Sequence, residues 1–430
     1  MRQKWRLMWM LTKHNDADPI PGTGSLSLSL NPFTNPSDFL RNYWQKKPLL
    51  IRQAFPDFTP ELDADDIAGL ACDDLAESRL VSGSFPEHDW DLRFGPFTEA
   101  DLSGLAQTNW TLLVQDVEKH FPPLHSLLEK FSFLPTWRID DLMISVAGPG
   151  GSVGPHSDQY DVFLLQVTGK RKWQIAESFS PALLPDCELN VLNKFTPEQE
   201  WILEPGDLLY LPPGVAHHGI AMGSENPVPA GNKKLLEGIS ENGSLTPISP
   251  ISMTWSIGMR APSTADLLQS LGEWLAQNHE EGPRYGDNNM LPPERTGEID
   301  AHAIERFVQL LEDASKDSHE FRSFLGSFLS SYRLAHDPAP PAKTLNLKTL
   351  GKALEQGAII QQHPWTRLAW LLSGSGAILF AAGEEYPCTP DIAENICKRP
   401  VNIINNSGMQ EQQLKLICEL INQGHLYLQE

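Results

Sequence analysis

Two stretches decide how this chain reads: Gly154-Pro155-His156-Ser157-Asp158 and Gly206-Asp207-Leu208-Leu209-Tyr210-Leu211-Pro212-Pro213-Gly214-Val215-Ala216-His217. In the first, a histidine and an aspartate stand two positions apart. Residues i and i+2 of a β-strand point to the same face, so His156 and Asp158 project together. The second stretch is a turn, a short apolar strand, a tight Pro-Pro-Gly turn and then a histidine. About 60 residues separate the two, a spacing that suits a β-barrel whose strands meet across its mouth. Brought together, His156, Asp158 and His217 offer two nitrogens and one carboxylate to one face of a metal ion.

Such a facial triad leaves coordination positions open, as non-haem iron(II) oxygenases require, whereas zinc prefers a filled tetrahedral site. Ligand softness alone leaves zinc, nickel and manganese open. The second stretch follows the pattern G-x5-P-x-G-x2-H and resembles the second conserved motif of cupins. A lone H-x-D pair carries little weight, because most histidines are surface or hydrogen-bonded core residues. The turn before His217 supplies the specificity. His218 is a rival ligand, but adjacent strand residues point oppositely and the motif spacing selects His217.

Outward from these motifs, residues 105–260 read as mainly β. Apolar runs at Leu142–Val146, Val162–Val167, Trp173–Ala176 and Leu208–Leu211 alternate with Gly, Pro and Asp turns, which suggests a sandwich or barrel. Between two of them lies Lys170-Arg171-Lys172. Strand alternation puts Arg171 on one face and both lysines on the other. One inward cation can pair with a buried carboxylate, arginine doing so bidentately. The plainer reading is a solvated basic turn.

Upstream, a helix opens near Asn35-Pro36-Ser37-Asp38 and a strand follows at Pro48–Arg52. Asp57–Glu77 contains no Lys or Arg and is expected to be helical, with a solvated negative face. The pattern changes at Arg260-Ala261-Pro262-Ser263. Leu267, Leu268, Leu271, Trp274 and Leu275 then recur at helical spacing, as do Ile304, Phe307, Val308 and Leu311, and again Phe321, Phe324, Leu325, Phe328 and Leu329. Asp337-Pro338-Ala339-Pro340-Pro341 marks a further boundary. The expected plan is therefore a flexible tail over 1–32, a cupin-type barrel over 33–262, a helical domain over 263–336 and a winged-helix-like domain over 343–430.

Composition narrows the function classes. Hydrophobic residues make up 40% of the 430 positions, and the formal net charge is −22. A surface so acidic disfavours nucleic acid and anionic membranes and suits a basic partner. The five cysteines, Cys72, Cys187, Cys388, Cys397 and Cys418, are scattered and form no C-x-x-C. They argue against a disulfide framework or structural zinc and for a reducing, cytoplasmic setting. No run of about 18 apolar residues predicts a membrane span, and Met1–His14 does not read as a signal peptide.

The strings Asn42-Tyr43-Trp44-Gln45-Lys46-Lys47-Pro48, Ser78-Arg79-Leu80-Val81-Ser82 and Asn109-Trp110-Thr111-Leu112-Leu113-Val114-Gln115 are more specific than the triad alone. So are Trp137–Ser145 (WRIDDLMIS), Gly154–Phe163 (GPHSDQYDVF), Leu203–Asp207 and Gly258–Pro262. Together they resemble the JmjC-type ribosomal oxygenases, in particular the bacterial family that 3-hydroxylates an arginine of the large-subunit ribosomal protein L-sixteen. The resemblance runs from about residue 32 to the end and weakens in the C-terminal part.

What the resemblance implies is a double-stranded β-helix (cupin jelly roll) of JmjC type, an α-helical dimerisation domain and a C-terminal winged helix. It implies Fe(II), with 2-oxoglutarate and O₂ as co-substrates, and a homodimer acting on a basic ribosomal protein. It implies that Arg171, fifteen positions after His156, holds the distal carboxylate of 2-oxoglutarate. It also implies that Asp140 and Ser256 meet the substrate guanidinium, with Gln159 beside the side chain; a plainer reading makes Asp140 a capping or salt-bridging carboxylate, for instance with Arg138. Related enzymes that hydroxylate a ribosomal histidine, and a metal-binding cupin without oxygenase activity, are the competing readings. Two departures stand out: an insertion over Gly223–Pro250, and His218 where an acidic residue is expected.

Overall fold

The computed structural model describes residues 36–223, 251–278, 284–288, 295–331, 336, 338–398, 401 and 411–429. The expected tail and the insertion beyond Gly223 lie outside these residues. The chain forms two compact units, Met1–Ala261 and Pro262–Glu430.

The first unit opens with helix α1 (Pro36–Asn42) and strand β1 (Leu49–Ile51). Helix α2 (Ala64–Ala71) starts at a capping box, in which the Asp63 side chain accepts from the Asp66 N–H and Asp66 returns a bond to Asp63. The expectation of a solvated helical face across Asp57–Glu77 is corrected here. The helix is only eight residues long, and it buries Ile67, Ala68, Leu70 and Ala71. Eleven strands follow: β2 (Ser78–Ser82), β3 (Asp91–Phe94), β4 (Trp110–Val114), β5 (Ile139–Ala147), β6 (His156–Ser157), β7 (Val162–Thr168), β8 (Arg171–Ala176), β9 (Gln199–Leu203), β10 (Leu208–Leu211), β11 (Ala216–Ala221) and β12 (Ser252–Met259).

Eight of these strands form one sheet in the order β1-β10-β7-β12-β5-β4-β2-β3, and four form a second in the order β6-β11-β8-β9. The two layers make the cupin-type sandwich that the sequence predicts. Between them pack Val162, Leu164, Leu209 and Leu211 from the large sheet with Trp173, Ile175 and Leu203 from the small one. The opposite face of the large sheet carries Leu142, Ile144, Val146, Phe163, Leu165, Trp255 and Ile257, packed with Phe39 of α1 and Ile67 and Leu70 of α2. The large sheet is therefore covered on both faces, and β10 and β12 are buried at every position. This is why its central strands read as continuous apolar runs, although the pairing is antiparallel.

One buried carboxylate ties several of these elements together. Asp161 is 0% exposed. It accepts from Arg138 Nη2 at 3.0 Å, Gln45 Nε2 at 3.0 Å and Tyr210 Oη at 2.6 Å. Its own backbone oxygen accepts from Met259 N. The turn that carries Asp158 is thus anchored to α1's exit, β5, β10 and β12.

In the second unit, α3 (Thr264–Asn278), α4 (Ala301–Ala314) and α5 (His319–Ser331) supply the expected helices. Leu271, Phe324 and Phe328 form a small core with Leu267, Trp274 and Leu275. α6 (Leu347–Glu355) is followed by β13 (Ile359–Gln362), β14 (Leu368–Ser373), β15 (Gly376–Ala381), β16 (Glu384–Cys388), α7 (Pro390–Cys397), α8 (Glu411–Asn422) and β17 (Leu426–Gln429). β13 pairs with β17, and β14-β15-β16 form a three-stranded meander. α5 lies so close to β15 that a Cβ on Gly326 would meet the Phe380 ring at 2.2 Å. Among the described residues α4 buries none of its side chains: Ile304, Phe307, Val308 and Leu311 all stand exposed, Leu311 by 62%.

Asp161→Ala leaves the Arg138 guanidinium without its carboxylate, and loss of one member of a buried pair costs about 3–5 kcal/mol. The variant is expected to unfold at distinctly lower denaturant concentration, as followed by tryptophan fluorescence.

Candidate metal centre

The antiparallel register sets His217 of β11 opposite His156 of β6, and Ala216 opposite Ser157. Both histidines therefore share the face of the small sheet that looks between the layers. Their ring centroids lie 4.3 Å apart. Asp158 follows β6 directly, and its backbone oxygen accepts from Gly214 N at 2.7 Å, which joins the Pro-Pro-Gly turn to the H-x-D segment. Gly214 has a φ of +78°, a left-handed conformation that glycine adopts without Cβ strain. Asp158 Oδ2 stands 3.9 Å from His156 Nε2 and 3.7 Å from His217 Nε2. The three ligand atoms all lie within 4.8 Å of one another.

The donor set fits a first-row divalent metal. Each histidine ties its Nδ1 to a carbonyl two residues upstream: His156 to Gly154 O at 2.9 Å and His217 to Val215 O at 3.0 Å. A carbonyl accepts only, so Nδ1 carries the proton and the Nε2 lone pair is free to ligate. Burial, reinforced by the neighbouring His156, pushes the His217 pKa down to about 4. That imidazole is neutral at physiological pH, the form that binds metal.

His218 points to the other face of the small sheet. It packs edge-on against Phe85 and Phe195, with ring centroids 5.7 and 6.1 Å away. It lies outside the cluster, as strand alternation predicted.

Arg171 lies on the inner face of β8, with Trp173 and Ile175, while Lys172 is half-exposed on the other. The arginine is 3% exposed. Nη1 reaches Ser145 Oγ at 3.4 Å and Nη2 reaches Gly219 O at 3.3 Å. Nε has no hydrogen-bond partner, and no carboxylate among the described residues pairs with this guanidinium. Burial lowers its pKa to about 10, so it stays charged at neutral pH. Gly219 makes the room, since a Cβ there would stand 2.8 Å from Arg171 Nε and 2.7 Å from the Trp173 ring. The result is a buried guanidinium held by two neutral oxygens, with its Nε unpartnered.

The remaining expected residues are spread unevenly. Ser256 is buried in β12, paired with Met143 of β5 and Leu164 of β7, and shares their inner face. Gln159 is exposed on the bend after Asp158. Asp140 sits where the β5–β12 register shifts, and Arg260 Nε lies 3.3 Å from its Oδ1. Arg138, which the sequence reading offered as Asp140's partner, pairs with Asp161 instead.

The next residue, Asp141, is the one in register with Gly258 on the inner face. It is buried, and Gln115 Nε2 donates to its Oδ2 at 2.6 Å. Burial, with Glu118, Asp116 and Asp140 nearby, raises its pKa well above the usual carboxylate range. No cation among the described residues lies within ion-pairing distance. Tyr160 stands within electrostatic reach of Asp158, Asp141 and Arg79 and so links this carboxylate to the triad. Asp141, Arg79, Gln115 and Tyr160 all lie in the strings quoted above, but the sequence reading gave them no role. Counting strand alternation back from Ser145 and Met143 would have selected Asp141 over Asp140.

Loss of a ligand tests the centre. Even the hydrogen-bond partners of metal ligands are worth 10- to 100-fold in affinity. Asp158→Ala and His217→Ala are therefore expected to weaken cobalt(II) binding by at least about 100-fold, measured by calorimetry, with the far-UV circular dichroism retained.

Comparison with known proteins agrees with this geometry. The JmjC domain model matches residues 126–228, and the model of a ROXA-like winged helix matches residues 309–427. The chain is 31% identical over 399 residues to the ribosomal protein uL16 3-hydroxylase of Escherichia coli, covering 91% of this chain and 97% of that protein. It is 31% identical to a probable ribosomal oxygenase of Haemophilus influenzae, covering 71% and 70%. The crystal structure of the Escherichia coli ribosomal oxygenase YcfD with cobalt and 2-oxoglutarate superimposes with a TM-score of 0.70 at 30% identity, over 93% of this chain and 99% of that one. With two matched domain models and 31% identity along nearly the whole length, this chain belongs to the uL16 3-hydroxylase family of ribosomal oxygenases, the JmjC enzymes that depend on 2-oxoglutarate.

Proposed function

We propose that this protein is an Fe(II)-dependent peptidyl-arginine 3-hydroxylase whose substrate is a basic large-subunit ribosomal protein of the uL16 type. The observation that carries the reading is a pair of buried ionisable groups without an ion-pair partner on the inner faces of the barrel: the Arg171 guanidinium lacks a carboxylate, and the Asp141 carboxyl, its pKa raised by burial, has no cation within ion-pairing distance among the described residues, Lys119 acting on it only from further away. Isolated buried charges are costly, so each is expected to be matched by a ligand. The first suits the distal carboxylate of 2-oxoglutarate. The second suits the side chain of an arginine.

Iron(II) held by His156, Asp158 and His217, with 2-oxoglutarate and O₂, supplies the oxidising power for inserting one oxygen into a C–H bond. The protein's own residues do the rest. Arg171 binds the co-substrate bidentately, with its fork pre-set by Ser145 and Gly219 O. Asp141 takes the guanidinium, with Ser256 on the neighbouring strand as a further hydrogen-bond partner and Gln159 at the rim. The reading assigns this role to Asp141 rather than Asp140, because Asp140 is already engaged by Arg260. A carboxylate in this pocket favours arginine over the neutral imidazole of a histidine substrate.

The net charge of −22 suits a basic partner through long-range attraction. None of the five cysteines is in a disulfide, in keeping with a cytoplasmic setting, and no helix among the described residues is long and apolar enough to cross a membrane. The exposed apolar stripe of α4 is assigned to a twofold homodimer contact.

Two experiments test these assignments. Asp141→Asn is expected to lower kcat/KM for an arginine peptide sharply, by about two orders of magnitude or more for a broken buried charge pair, while 2-oxoglutarate affinity is unchanged. Asp140→Asn is expected to leave peptide kinetics nearly intact, and the reverse ranking would return the role to Asp140. Separately, Phe307→Glu with Leu311→Glu is expected to convert the dimer to a monomer in sedimentation velocity.

A further inference from the structure

Gln115 continues the line of β4 past Val114, and its backbone N–H donates to Glu77 O at 2.9 Å, just before β2. In the large sheet β4 lies between β5 and β2. The inner faces of those two neighbours carry opposite charges close to Gln115, with Asp141 on β5 and Arg79 on β2. The Gln115 side chain spans them. Its Nε2 donates to Asp141 Oδ2 at 2.6 Å, and its Oε1 accepts from Arg79 Nη2 at 3.5 Å. Arg79 Nη2 also rests 3.9 Å from Met143 Sδ. The enzyme's own guanidinium is thus held two hydrogen bonds away from the carboxylate that the substrate is proposed to use.

A carboxamide is suited to this position because its two ends differ. The oxygen satisfies a cation and the N–H₂ satisfies an anion, with no net charge. A carboxylate at 115 would repel Asp141, and a cation would occupy it. An apolar side chain would leave the guanidinium facing the carboxyl with no hydrogen-bonding group between them, and a nearby cation favours the ionised carboxylate, so Arg79 would draw Asp141 into pairing with it. Asp141 Oδ1 is kept clear from the other side by Gly258, since a Cβ there would stand 2.8 Å from that oxygen.

We propose that Gln115 is a specificity-determining residue: its amide insulates Asp141 from Arg79, so that the carboxylate stays open to a cationic side chain of the protein substrate. Gln115 acts through Asp141 and is a positioning residue. The inference rests on the reading of Asp141 as the substrate's partner.

The test compares Gln115→Met, which keeps the length and removes both hydrogen bonds, with the double variant Gln115→Met, Arg79→Met. Arginine-peptide kinetics and 2-oxoglutarate affinity are measured for each. Gln115→Met is expected to raise the peptide KM and lower kcat/KM by about 10- to 100-fold, the worth of a hydrogen bond to a charged group, with 2-oxoglutarate affinity unchanged. The double variant is expected to recover most of that loss, because the competing guanidinium is gone. Gln115→Asn, too short to span both groups, is measured beside it and is expected to show the same loss and the same rescue should the methionine variant fold poorly. Wild-type peptide kinetics in the single variants, or no rescue by Arg79→Met, overturns the insulating role. Asp141→Asn separates the two levels. If it leaves peptide kinetics unchanged, the pocket reading falls and takes this inference with it. If it abolishes peptide turnover while the rescue is absent, only the role of Gln115 falls.

Discussion

The site depends on one strand register. β6 is only two residues long, yet its pairing with β11 must place His156 opposite His217. A slip of one residue would turn one histidine to the outer face of the small sheet and dismantle the triad. So short a strand cannot hold its own register. The register is imposed instead by the six-residue pairing of β11 with β8, by the Gly214 N–H donating to Asp158 O, and by the Leu192 N–H donating to Pro155 O. The same β11–β8 pairing sets Arg171 opposite Ala221, on the histidines' face and four residues along from Ile175. At about 3.3 Å per residue that is roughly 13 Å along the strand, a distance that a five-carbon diacid and the arginine's own reach can bridge. The candidate metal ligands and the buried Arg171 are thus placed by one pairing.

The large sheet provides the rigid wall opposite. Helical residues and the Asp161 network cover its outer face, so its inner face can carry polar groups without loss of the core. Towards β1 that inner face is apolar and packs on the small sheet. Towards β2 it bears Arg79, Gln115, Asp141, Ser145 and Ser256. The division allows one sandwich to be a packed core at one side and to carry polar and ionisable side chains at the other. The Asp161 carboxylate, with three side-chain donors, holds the Asp158 turn in place.

Charge is placed sparingly inside. A buried acid and a buried base lie in one barrel without pairing with each other, because they belong to different ligands in the proposed chemistry. Neutral groups flank both: Ser145 Oγ and Gly219 O on Arg171, and the Gln115 amide on Asp141. A native ion pair at either place would be the cheaper arrangement for folding and would close the site. Binding sites commonly accept such a local cost to stability in exchange for a preorganised pocket.

Much of this was legible in the residues. The H-x-D pair, the Pro-Pro-Gly turn before His217 and the inward parity of Arg171 follow from the two-residue period of a strand, a local property that any sequence displays. The helices with aromatic and leucine stripes follow in the same way from the 3.6-residue period. Asp140 and Asp141 show where local reading stopped. They are adjacent and chemically identical; strand alternation from Met143 and Ser145 puts Asp141 on the inner face, but the β5–β12 register with its shift at Gly258/Met259 decides that Arg260 takes Asp140. Gln115 and Arg79 lie far from His156 in sequence, and nothing in their spacing announces a shared site; the strand order β5-β4-β2 brings them to Asp141. The sequence by itself determined the candidate metal ligands, because ligand type and short-range periodicity are local. Only the tertiary structure decided the charge pairing in the pocket, because that depends on which strands become neighbours and in what register.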